Sequence, residues 1–163
     1  MRYASISKLK SVQRWVTGYD SVNNWPYYDF GSCDSCPYTF PGGGGHPGWV
    51  PPGDWTLDNI RYVSWGANPA FPLPEIYTTD QSQAYQWQNI SLYNYIYYNH
   101  THMTFKGAMT QYQACQDNPP CPLMDNTAET GWEQLYSALD SDDRTRQYLL
   151  VNPMWSTDIQ WRP

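Results

Sequence analysis

The sequence predicts an α/β protein with a mostly parallel sheet. Two observations carry this: stretches with helical apolar spacing alternate with single short strand-like runs, and the composition is that of a packed chain. The 163 residues amount to one domain, 1–163, long enough to bury a core. Aromatic residues make up 17 % and charged residues only 15 %, the reverse of what intrinsic disorder requires.

The elements follow in chain order. A first helix over residues 5–14 carries Leu9 and Val12, with Lys8, Lys10 and Arg14 on its wet side. Strand-like runs follow at 15–19, ending at Asp20, at 60–65, ending at Gly66, and at 73–77, which contains Glu75. A second helix starts after Asp80 with Gln83 at the capping-box position and buries Ala84, Trp87 and Ile90. Residues 103–110 alternate, with Met103, Phe105, Gly107 and Met109 on one face. The clearest helix opens at Asn126, with Glu129 three residues on, and lines up Trp132, Leu135, Tyr136 and Leu139 before ending near Asp140–Asp143. A last strand is expected at 155–161. Between Gly31 and Gly53 the chain is too rich in Gly and Pro for a tight connection, and a loop of this length is usually functional or mobile.

Charge and motifs exclude several functions. Nine basic against fifteen acidic residues give a formal charge of −6, which removes the electrostatic footing of nucleic-acid binding. No apolar run reaches the roughly 18–20 residues of a membrane span. The glycine run before His46 is not followed by the Lys of a phosphate loop, and no G-x-S-x-G occurs. His100 and His102 stand two apart, as a metal pair on a strand would, but lack a clear third ligand, so neither a metal nor a cofactor is expected.

Four cysteines allow three pairings. Cys33 with Cys36 and Cys115 with Cys121 are each close in sequence, so two local disulfide clips are expected; a zinc site from all four thiols is the rival. Sequons at Asn89 and Asn99 also fit a secreted glycoprotein. The first residues hold no apolar stretch of the signal-peptide kind, so the sequence reads as the C-terminal part of a longer secreted precursor.

Four blocks carry a family resemblance: GYDSVNNWPYYDFGSCDSCP at 18–37, RYVSWGANPAFPLPEIY at 61–77, GAMTQYQACQDNPPCP at 107–122 and WSTDIQW at 155–161. Together they resemble secreted bacterial proteins with glycoside-hydrolase-like TIM-barrel domains, many of uncharacterised function. The resemblance implies a parallel (β/α) barrel, here partial or incomplete, because a full barrel takes about 250 residues. It implies an extracellular domain that acts on or binds polysaccharide, without a cofactor.

Glycoside hydrolysis uses two carboxyl groups across the scissile bond, and barrel sites lie at the C-terminal ends of strands. Asp20, Glu75 and Asp158 are the carboxylates in or just after strand-like runs. Glu75 leads, because burial between Pro74 and Ile76 would lift its pKa toward that of a general acid. Trp25, Tyr27, Tyr28, Trp49, Trp55 and Trp65 lie in or beside the long loop segment, where flat amphipathic rings can cover the apolar face of a sugar. The competing account makes these carboxylates scaffolding and these rings packing, in a non-catalytic binding module or a structural protein of a surface assembly that associates with further copies.

Overall fold

The structure, a computed structural model, describes residues 6–22, 25–33, 36–38, 55–148 and 157–158. Helix α1 (Ile6–Val22) leads into strand β1 (Tyr27–Gly31). Helix α2 (Leu57–Arg61) runs directly into a π-helical turn (Tyr62–Gly66), which delivers the chain to β2 (Ala70–Pro74). Then come α3 (Ser82–Tyr97), β3 (Met109–Thr110), α4 (Tyr112–Asp117), α5 (Ala128–Asp140) and β4 (Thr157–Asp158).

The strands form two two-stranded sheets, β1–β2 and β3–β4, both parallel. A single parallel bridge between Glu75 and Met109 joins them. Two prolines in β2 explain why this junction is so short. Glu75 N–H bonds Gly31 O at 2.9 Å, while Ile76 N–H turns the other way to Met109 O at 2.8 Å. By that alternation Pro72 and Pro74 occupy positions whose N–H would point toward β3, so no ladder can form there until Ile76 supplies a donor.

These observations correct the expected partial TIM barrel. Among the described residues the fold is a small mixed α/β arrangement, with no (β/α)8 array. Two of the expected strands are helical. Residues 15–19 continue α1, with Leu9 and Val16 buried seven residues apart on its inner side. Residues 60–65 follow a capping box in which Asn59 N–H bonds Thr56 Oγ1 and Thr56 N–H bonds Asn59 Oδ1. That box nucleates α2, and its helix overrides the strand preference of Ile60, Tyr62, Val63 and Trp65. Burial alternates as expected over 103–107, with Met103, Phe105 and Gly107 covered, but Ala108, Met109 and Thr110 are all buried, and ladder pairing begins only at Met109.

The other helices follow the expectation closely. In α3, Ala84, Trp87 and Ile90 are buried. Gln83 does not close a capping box; its Oε1 accepts the N–H groups of Tyr77 and Thr78 at 2.5 and 3.0 Å, tying α3 to the end of β2. In α5, Trp132, Leu135 and Leu139 are buried while Tyr136 stays exposed. Its cap is Thr127, whose Oγ1 accepts Thr130 N–H. Asn126, one residue earlier, is buried and donates from Nδ2 to Ile76 O and Thr78 O. The larger core joins α3, α5 and residues 103–108; a smaller one holds Val16 of α1 against Val63, Ala67 and Ala70.

Candidate functional site

The β1–β2 register places Tyr28 opposite Phe71 and Phe30 opposite Leu73. Side chains at every second position of a strand share a face, so Tyr28, Phe30, Phe71 and Leu73 line one face, and Glu75 continues it at the C-terminal end of β2. The Tyr28 and Phe71 rings lie 6.2 Å apart with a tilt of 36°. Trp65 meets Phe71 edge-on at 5.9 Å, and Lys106 Nζ sits 4.8 Å from the Phe71 ring centre. Phe30 is 51 % exposed. The result is an aromatic step carrying one cation, with a half-buried carboxyl at its end.

The three expected carboxylates fare differently. Glu75 is held at the junction of the two sheets by its backbone bridge. Asp20 does not end a strand; it lies in the last turns of α1, and its charge reaches Tyr27. Asp158 accepts Thr110 Oγ1 at 3.0 Å and Gln113 N–H at 2.8 Å, which makes it a tie between β4, β3 and the start of α4. Asp20 and Asp158 thus act on partners of their own, Tyr27 for the first and Thr110 with Gln113 for the second.

A fourth carboxylate stands closer. Asp29 of β1 has its pKa raised to about 6, first by burial and then by the negative charge of Glu75. Strand alternation sends Asp29 to the Tyr27 side of the sheet and Glu75 to the Tyr28 side. The two carboxyls are near enough for the charge of Glu75 to raise the pKa of Asp29.

The aromatic candidates also divide. Tyr27 packs edge-on against Trp15 and Tyr19, both at 5.4 Å, and donates its hydroxyl to Val63 O at 2.6 Å. Burial, then Asp29, Tyr62 and Asp20, raise its pKa. Trp55 packs on the smaller core and Trp65 on the larger. Trp25 is 75 % exposed. Trp49 and His46 lie outside the described residues.

Both disulfides are present, Cys33–Cys36 and Cys115–Cys121, so these four thiols do not form the rival zinc site. Disulfides of this kind persist in oxidising compartments. Cys36 is embedded in the larger core, where Gln86 Nε2 donates to its carbonyl oxygen at 3.1 Å. Asn89 lies within α3, is 6 % exposed, and donates to Pro37 O, whereas Asn99 is exposed in a left-handed turn after α3. His100 and His102 each meet the Tyr95 ring edge-on at 5.0 Å. Among the described residues no three His, Cys, Asp or Glu side chains gather as a metal site would require, and no helix is long and apolar enough to cross a membrane.

Comparison with known proteins gave no match to a family model, to a curated protein or to a solved structure. The site is therefore argued from its own chemistry. Sequence reading missed Phe71, Lys106 and Asp29. A strand begun at residue 71 instead of 73 puts Phe71, Leu73 and Glu75 on one face, and that spacing was the available signal for Phe71.

Proposed function

We propose that this chain is an extracellular domain that seats a polysaccharide on the Tyr28–Phe71 face and presents Glu75 to it. The observation that carries the reading is the shared sheet face: two tilted rings and a third exposed one, ending in a carboxyl at the C-terminal end of a parallel strand. A sugar offers apolar C–H patches that such rings cover, while its hydroxyls need polar partners at the rim, here the Tyr28 hydroxyl and the Glu75 carboxyl. The two disulfides support an extracellular setting. The resemblance to secreted glycoside-hydrolase-like proteins supports the substrate class.

Glu75 is the proposed acid/base group, while the rings are the part of this face held in mutual contact. Binding is thus the better supported half of the proposal, and hydrolysis is its testable extension. Calorimetric titration with cello-, chito- and galacturono-oligosaccharides should detect binding that Phe71→Ala weakens by about tenfold, the loss of one ring contact. Release of reducing ends by the parent chain, abolished in Glu75→Gln with binding kept, would establish catalysis. Binding without turnover in either protein would make this a carbohydrate-binding module. Undiminished affinity in Phe71→Ala would remove the sugar from this face.

A further inference from the structure

We propose that the sugar seated on this face is acidic, its anionic group taken by Lys106. The inference rests on the reading that Tyr28 and Phe71 form a sugar platform, and it deepens that reading by naming the substrate class.

The argument begins with where the described cations go. Arg61 bonds Asp58 and lies over the Tyr98 ring. Arg144 pairs with Asp142, and Arg146 pairs with Asp140 and Asp143. Lys8, Lys10 and Arg14 lie on the outer side of α1. Lys106 is different: it is half-buried, it has no carboxylate within ion-pair distance among the described residues, and its ammonium stands over Phe71. Partial burial makes an ammonium unfavourable unless something replaces its water. The face of Phe71 replaces part of that water. An aromatic ring does not satisfy the ammonium's three N–H donors.

An acidic sugar matches this layout. A uronic acid or a sulfated residue has a C–H face for the ring pair and an anionic group at the ring edge, where a charge-assisted hydrogen bond from Nζ can reach it. Long-range attraction does not help, because the protein carries a formal charge of −6. Selection has to act at contact, within a Debye length of about 8 Å at physiological salt. One ammonium resting on the platform itself acts at that range.

The test compares galacturonate oligosaccharides, sulfated galactan oligosaccharides and cello-oligosaccharides by calorimetric titration of the full chain. The parent protein and Lys106→Met are measured side by side, with thermal unfolding confirming that the variant folds. The expected result is a preference of about tenfold for an acidic over a neutral oligosaccharide in the parent, lost in Lys106→Met. The uronate and sulfate arms distinguish which anion is taken. Equal parent affinity for acidic and neutral sugars, or a preference that survives in Lys106→Met, overturns the inference and leaves the platform standing. Absence of binding to every sugar, or affinities unmoved by Phe71→Ala, overturns the platform and the inference with it.

Discussion

Asp29 shows how one buried residue registers its surroundings. Burial, then the charge of Glu75, lifts its pKa from an ordinary 3.8 to about 6. Between those two values the folded protein holds a proton that the unfolded chain has released. Stability therefore falls as pH rises across this window, and the loss is complete above pH 6. A difference of this size is worth on the order of 3 kcal/mol. Urea unfolding from pH 4 to 7.5 should show this decline in the parent and a flatter profile in Asp29→Asn, with the variant the more stable protein at pH 7.5. Identical slopes in the two proteins would mean that Asp29 is solvated in the folded state. Glu75→Gln should move the midpoint down only in part, because burial is the larger cause.

Packing between elements depends on contacts that an apolar pattern does not reveal. The stripe of Trp132, Leu135 and Leu139 was legible in α5, and so was the buried face of α3, because helical periodicity survives over many residues. Gly131 was not legible. A Cβ added there would lie 2.6 Å from Thr110 Cγ2 and 3.2 Å from Ile76 O, so its hydrogen is what lets α5 settle onto β3 and onto Ile76 beyond the end of β2. Gly131→Ala should cost about 1–3 kcal/mol through overpacking, against the gain alanine normally brings to a helix. The exposed control Ser137→Ala should be near neutral in the same thermal unfolding measurement; equal shifts would show that the contact yields. The short runs at 15–19 and 60–65 misled for the opposite reason. Runs of five or six residues do not fix a period, and a cap outside the window, Thr56 with Asn59, decided the second one. The site was half legible by the same logic. Tyr28 and Glu75 stand out as residue types, but Pro72 and Pro74 disguise the strand that joins Phe71 to Glu75, and Lys106 joins the site only through its contact with Phe71.

At the scale of the molecule, burial is unevenly shared. Among the described residues the larger core contains fifteen buried residues, drawn from α2, α3, α5, the 103–108 segment, the Cys33–Cys36 clip and Ile76; the smaller contains four, of which Val16 belongs to α1. Helix α1 spans 17 residues, yet it has no acidic residue in its first turn and no basic residue in its last to offset the helix dipole. Among the described residues it is also tied by the Thr17 Oγ1–Tyr62 Oη hydrogen bond at 3.0 Å, by the packing of Trp15 and Tyr19 against Tyr27, and by the burial of Leu9. Opening free energies follow local burial, so α1 should be the first of the long helices to open. Native-state hydrogen exchange should find its amides less protected than those of α3 and α5 by at least about tenfold. Leu135→Ala, in the larger core, should lower global stability by about 2–5 kcal/mol. Val16→Ala should raise exchange in α1 while leaving the protection of α3 and α5 nearly unchanged. Because α1 packs on Tyr27, whose side of the sheet is opposite to that of Tyr28, its opening should leave the proposed sugar affinity of the Tyr28–Phe71 face unaltered. A Val16→Ala variant that lost exchange protection uniformly across all three helices would show instead that the two cores unfold as one unit.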